Sequence, residues 1–380
     1  MRKKLLIALG IVLASCQQIT PSGWEQHAES SSTETLLVNL IIPESPATRA
    51  LGSETAESAV KTLQIFVFKD VSGTDLSKNV RETDKWDAGG NTTLTLSTYT
   101  GKKKVWALVN APRQSFSNES ELVSHYSMLE ENTLTGLVMT GSANTTVGEL
   151  NTNSSVGTIT PLAITVSHLG ARISLQNVKV DFSNTSLEGC YLDIKEVYVL
   201  NAVNSVRLDG TCRTKTDLKT ASYWYNLETW NESVPSSAQA LLGDRGNLKV
   251  SLGPTTGTKE VNRYFYVYPN VSTAADDNTD SKASARLTRV ILHGYIRGEA
   301  GRKQGDNLKH AEESYYCFDI PKSSTGASLQ RNHTYDIQDV TITMAGGPSD
   351  APGDRPQYGK IKATVTVSEW DGHTVLKYEL

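Results

Sequence analysis

The chain has 380 residues, more than one hydrophobic core usually supports, so two domains are expected. A formal net charge of −4 and a pI near 6.0 argue against the basic surface that nucleic acid binding requires. Charged residues are 21% and hydrophobic residues 38% of the chain, and short alternating runs between turn residues predict an all-β, many-stranded antiparallel protein.

The first residues have the pattern of a lipoprotein signal. Three basic residues at positions 2–4 precede an apolar run over residues 5–13, which is about half of the ~20 residues that span a bilayer. Leu, Ala and Ser at positions 13–15 then precede Cys16 in the form of a lipobox. Residues 1–15 are therefore predicted to be removed and Cys16 to be acylated, although Cys16 as an ordinary small residue near a cleavage site is the alternative.

Residues 16–49 are predicted to form a lipidated propeptide that contains one removable strand. Apolar side chains at alternate positions share one face of this strand: Leu36, Val38, Leu40 and Ile42. Pro43 ends the strand, and a polar linker leads to Arg49 and Ala50. An exposed Arg is a substrate for an Arg-specific, trypsin-like protease, and cleavage between these two residues would remove the strand. A permanent first strand with an uncut linker is the alternative.

Two further sets of strands are predicted, within residues 50–172 and 173–357. The first set covers residues 63–68, 93–96, 105–110 and 161–166, and a further run at residues 171–182 crosses the domain boundary. The second set covers residues 191–200, 248–252, 264–268, 287–296, 315–320 and 335–344. A short helix is predicted over residues 119–131. Three prolines and three glycines in residues 346–358 predict a loop.

Residues 358–380 are predicted to form a C-terminal donor segment with two strands. Alternation marks the donor residues Ile361, Ala363, Val365 and Val367, and then Leu376, Tyr378 and Leu380. The Asp371-Gly372 pair between them is a turn signal. The segment therefore ends in a hairpin or in a strand pair that can unfold, whereas permanent closure of the second sandwich is the alternative.

Catalytic and metal-binding motifs are absent from the sequence. Seven histidines are scattered without ligand spacing, and neither a nucleophile elbow nor a phosphate-binding loop is present. Asp276, Asn278 and Asp280 have the spacing of calcium ligands, but Ser281 replaces the required glycine. We expect no enzymatic activity, no metal and no cofactor.

The remaining cysteines and one aromatic cluster leave alternatives open. Cys190, Cys212 and Cys317 are an odd number without CxxC spacing, so a Cys190–Cys212 bridge is only one alternative. The aromatic cluster, at positions 223–225 and 230, contains side chains that stack on sugars or partner proteins, but packing within the fold is the commoner role of such residues.

The chain resembles the fimbrillins of Bacteroidales, the subunits of type V pili. The resemblance rests on the lipobox, the apolar strand before Arg49, the C-terminal strand pair and several recurring segments. These segments are VWALVNAP (105–112), LVMTG (137–141), HLGARISL (168–175), YFYVYPN (264–270), NHTYDIQDVTI (332–342) and ATVTVSEW (363–370).

The resemblance implies a fold, a route to the cell surface and a set of partners. The fold would be two transthyretin-like antiparallel β-sandwich domains in tandem. A lipoprotein precursor at the outer membrane would be cut after Arg49 and would join other fimbrial subunits, as a homopolymer or heteropolymer, by donor-strand exchange in an adhesive surface fimbria. A tip subunit, or a surface lipoprotein that binds glycans or host proteins without polymerising, is the alternative.

Overall fold

The all-β prediction is confirmed over the part of the chain that the computed structural model describes. This part comprises residues 33–42, 57–148, 159–253, 256–272, 286–298, 312–320, 328–348, 361–370 and 374–379. Helical structure within it comprises α1 (Glu119–Ser124), α2 (Ser236–Leu242) and 3-10 turns at Leu76–Lys78, Leu129–Glu131, Asp217–Lys219 and Ala221–Tyr223. No helix in these ranges is long and apolar enough to cross a membrane.

The first sandwich packs a three-stranded sheet on a five-stranded sheet. Across the smaller sheet the strands are β4 (Thr93–Tyr99), β1 (Thr33–Ile41) and β8 (Ile159–Thr165). Across the larger sheet they are β3 (Arg81–Asp87), β2 (Leu63–Lys69), β5 (Gly101–Val109), β7 (Met139–Val147) and β9 (Ser167–His168). One buried apolar cluster joins the facing sides of the two sheets.

The second sandwich is larger. One sheet contains β17 (Thr256–Val267), β10 (Ala171–Asp181), β20 (His333–Ile342), β21 (Ile361–Glu369) and β22 (Thr374–Glu379), in this order. The facing sheet contains β15 (Gly243–Asp244), β11 (Cys190–Leu200), β18 (Thr288–Gly298) and β19 (Glu312–Ile320), and β16 (Val250–Leu252) also pairs with β11. Two short pairs lie outside these sheets: β6 (Tyr126–Met128) with β13 (Ser205–Arg207), and β12 (Ala202–Val203) with β14 (Trp224–Tyr225).

The apolar core of the second sandwich continues onto the outer face of the first sandwich, whose own interior is a separate cluster. Phe66, Phe68 and Trp106 lie on the outer face of the five-stranded sheet of the first sandwich, where Leu122 of α1 covers them. These side chains belong to the same buried cluster as the interior of the second sandwich. The outer face of the first sandwich therefore packs as part of the core of the second.

Two strand pairs are parallel within these otherwise antiparallel sheets. They are β1 with β8 and β10 with β20. A parallel pair requires a long crossover between its strands, so local sequence patterns do not reveal it. Gly141 of β7 lies where β8 ends, and a Cβ atom there would be 2.2 Å from the carbonyl oxygen of Thr165. Glycine at this position lets the two sheets approach closely.

The structure corrects three local predictions. The helix predicted over residues 119–131 ends at Ser124, because the chain turns extended at His125 and continues as β6 and a 3-10 turn. The strands β3 and β7 were not predicted, since their polar residues lack clear alternation. The suggested Cys190–Cys212 disulfide is absent from the described part of the chain.

Candidate strand-exchange site

Strand β1 occupies the middle of its sheet. It pairs antiparallel with β4 from Thr33 opposite Tyr99 to Asn39 opposite Thr93. It also pairs parallel with β8, from Thr35 opposite Ile159 onward. No other strand in the described ranges pairs with β4 or β8. Loss of β1 would therefore leave two facing rows of unpaired backbone groups and a groove between them.

The alternate residues named from the sequence share the inward face of β1. Leu36 and Val38 are fully buried, and Leu40 and Ile42 are half-buried against the same cluster. By contrast, Ile41 is 52% exposed on the outward face. The groove that remains without these side chains is lined by apolar residues of β4, β8 and the facing sheet, among them Leu94, Leu96, Val105, Leu162 and Ile164.

Several residues named from the sequence lie outside the described ranges. They are the lipidation site Cys16, the processing residues Arg49 and Ala50, and the terminal residue Leu380. The Asp276, Asn278 and Asp280 loop also lies outside them. Within the described part, no group of three or more His, Cys, Asp or Glu side chains is arranged to hold a metal ion.

Glu57 lies before β2, and its carboxylate is buried in an ion pair. Nη1 of Arg172 donates to both Glu57 oxygens, at 2.8 and 3.1 Å, and the Tyr266 hydroxyl donates to Oε1 at 2.5 Å. Glu57 is 5% and Arg172 4% exposed. Burial raises the pKa of Tyr266 well above its usual value, and the neighbouring carboxylate reinforces the shift, so this hydroxyl stays protonated as a donor.

Trp370, directly after β21, packs on the same group. Its ring stacks on His168 with centroids 4.1 Å apart and lies 5.5 Å from the guanidinium carbon of Arg172. Its backbone N–H donates to the carbonyl oxygen of Asn332 at 2.9 Å. Glu57, His168, Arg172, Tyr266 and Trp370 are called the Glu57–Trp370 cluster below. The cluster joins Glu57, which precedes β2, to the C-terminal end of β21.

His168 makes the folding stability of the protein depend on pH. Burial lowers the pKa of His168 to about 4, and the Arg172 charge acts in the same direction. The unfolded chain takes up this proton near pH 6.5, so folding stability present above that pH is lost as the pH falls toward 4. We expect the free energy of unfolding to drop by about 2 kcal/mol from pH 7 to pH 5 on account of this residue.

Urea unfolding of wild type and of His168→Gln at both pH values measures this contribution. The variant loses the ring contact with Trp370 at each pH, but it lacks the titrating group. Wild type should therefore lose more stability than the variant between pH 7 and pH 5. An equal loss in both proteins would show that His168 does not titrate as described.

The predicted donor residues that the structure describes lie in the second sandwich, away from β1. Strand β21 runs between β20 and β22, and Ala363, Val365 and Val367 are 1%, 1% and 5% exposed. Ile361 is opposite Ile342, and in β22 Leu376 and Tyr378 are opposite Val367 and Val365. A single chain therefore does not bring the proposed donor to the groove of β1, and an exchange would have to join two chains.

Other side chains highlighted by the sequence pack within the fold. Trp224 and Tyr225 are buried in the core, and Tyr223 stacks on the guanidinium of Arg213 at 3.8 Å. Trp230 meets Tyr198 edge to face at 5.3 Å. No local pattern indicates the Glu57–Arg172 pair, because its members are 115 positions apart and each is an ordinary charged residue in isolation.

Residues 35–180 match the family described as the major fimbrial subunit protein (FimA). A fimbrilin from Porphyromonas gingivalis has a similar structure, with a TM-score of 0.57, 16% identity and coverage of 90% of this chain and 98% of that one. A proposed cell adhesion protein from Bacteroides eggerthii has a TM-score of 0.57 and 16% identity, with coverage of 90% of this chain and 97% of that one. A second proposed cell adhesion protein, from Parabacteroides distasonis, has a TM-score of 0.54 and 18% identity, with coverage of 89% of this chain and 100% of that one. No curated protein sequence matched the chain.

Proposed function

We propose, on the premise that this chain is a relative of the Bacteroidales fimbrillins, that it is a structural subunit of an adhesive fimbria on the cell surface. Subunits would join by exchanging strands. The observation that carries the proposal is the position of β1, which separates β4 from β8 and contributes fully buried Leu36 and Val38 to the core.

The physical reason for exchange is the state that remains once β1 is absent. Unpaired backbone groups along β4 and β8, together with an open apolar groove, are costly in water. A strand from another subunit restores the backbone hydrogen bonds and fills the groove with alternate side chains. Four buried donor side chains, at ~1.5–3 kcal/mol each, contribute on the order of 6–12 kcal/mol before ordering costs. Such head-to-tail contacts build open filaments.

Processing by a protease supplies the event that removes β1. In this proposal Cys16 is acylated, the precursor is held at the outer membrane, and an Arg-specific, trypsin-like protease cuts between Arg49 and Ala50. Support comes from the order of the parts, since the cut separates β1 from the buried Glu57. The processed chain would lose the strand and keep the rest of its core.

The partners in this proposal are further copies of the chain or related fimbrial subunits. The C-terminal segment, residues 358–380, supplies the donor strand. The role of the fibre is structural and not enzymatic. A tip subunit, which accepts a donor without offering one, is the second candidate. It is favoured by one observation, the burial of Val365 and Val367 in their own sheet.

Replacement of Arg49 tests the processing step. The purified precursor, treated with an Arg-specific protease, should form heat-sensitive ladders on a gel, and Arg49→Ala should abolish them because β1 stays in place. Arg49→Lys is a matched control, since it should polymerise after trypsin but not after the Arg-specific enzyme. Ladders from the Ala variant, or a cut wild type that stays monomeric even with related subunits, would contradict the proposal.

A further inference from the structure

Strand β21 is an interior strand of its own sheet. It pairs with β20 on one side, from His333 opposite Glu369 to Ile342 opposite Ile361, and with β22 on the other. Its inward residues Ala363, Val365 and Val367 are buried in the core of the second sandwich. Its departure would break two ladders of hydrogen bonds and open that core.

The opposite face of β21 is also buried, at its C-terminal end. A row of residues in register crosses the sheet there, from Tyr266 through Arg172 and Thr334 to Ser368. These side chains are at most 7% exposed. Trp370 lies next to them on Arg172 and His168, so both faces at this end of β21 are enclosed by its own subunit.

Strand β22, by contrast, is paired on one side only within the described part of the chain. It pairs with β21 only, from Thr364 opposite Glu379 to Ser368 opposite Thr374, and no other described strand borders it. Its release would break a single ladder. Release of β21 therefore requires breaking two ladders of backbone hydrogen bonds, whereas release of β22 requires breaking one.

The chain after Trp370 is long enough for the groove. Residues 371–380 span up to ~33 Å when extended, at ~3.3 Å per residue, and β1 pairs only within Thr33–Ile41. We propose that the Glu57–Trp370 cluster keeps β21 in its own subunit and that the exchanged segment begins after Trp370. This inference rests on the proposed strand exchange. A cut after Arg49 leaves the cluster intact, because Glu57 lies on the retained side.

Two engineered disulfides that share one position test the inference. Thr364 is opposite Gln338 of β20 and also opposite Glu379 of β22. Directly opposed residues of antiparallel strands are close enough for a disulfide. Gln338→Cys with Thr364→Cys ties β21 to β20, and Thr364→Cys with Glu379→Cys ties β22 to β21. Both pairs are placed in full-length protein that also carries Cys212→Ser and Cys317→Ser.

Polymer yield after processing is compared with and without a reductant, so that each variant serves as its own folding control. The β20–β21 disulfide should leave the yield unchanged, whereas the β21–β22 disulfide should lower it at least tenfold until the bond is reduced. If the β20–β21 disulfide also blocks assembly reversibly, β21 must leave and the inference is wrong, while strand exchange stands. If neither disulfide blocks assembly, exchange through the C-terminal segment itself is contradicted.

Discussion

Replacing Leu36 with Ala should lower the free energy of unfolding of the precursor by about 2–5 kcal/mol. Leu36 is fully buried in the cluster between the two sheets of the first sandwich, so truncation removes apolar burial and leaves a cavity. Urea unfolding, followed by a signal from the first sandwich, measures the effect.

The neighbouring leucine provides the control for this prediction. Leu37 lies on the other face of β1 and is only half-buried, so Leu37→Ala should cost clearly less than Leu36→Ala. Equal losses at the two positions would contradict the assigned inward face of β1. A chain that starts at Ala50 lacks both residues, and a synthetic peptide of residues 33–43 should raise its stability by binding in the groove.

Replacing Arg172 with Met should destabilise the folded protein by about 3–5 kcal/mol. The change leaves the Glu57 carboxylate buried with the Tyr266 hydroxyl but without its cation. It also removes the guanidinium that lies over Trp370. Denaturant unfolding with and without the substitution gives the value.

A double-mutant cycle separates the charge from the packing. Glu57→Leu combined with Arg172→Met should be less destabilised than the sum of the single variants, because no unpaired charge remains. The exposed pair Asp75 and Lys78 is the control, and its disruption should cost clearly less than disruption of the buried Glu57–Arg172 pair, because solvent screens the exposed charges. Additive losses at Glu57 and Arg172 would show that the pair is not coupled as the contacts imply.

Predictions from the sequence succeeded where one strand face is apolar and the other is polar. The alternation around Leu36 and Val38 predicted both the strand and its inward face. The strands β10, β11 and β18 are rich in β-branched residues, and they too lie close to their predicted bounds. Strand β3 has no buried side chain, so its sequence, RETDKWD, carries no alternating apolar signal.

Hairpin signals and apolar alternation depend on residues that are close in the sequence, and these local patterns predicted the first and last strands. The position of β1 between β4 and β8 depends on a parallel partner more than 120 residues away. The Glu57–Trp370 cluster likewise joins five residues from four separate parts of the chain. Such contacts form only when the sheets pack, because packing brings together residues that are far apart in the sequence. Local patterns thus determined which segments are strands and which faces are apolar, and the tertiary structure decided which strand is interior, which is an edge and which buried charges pair.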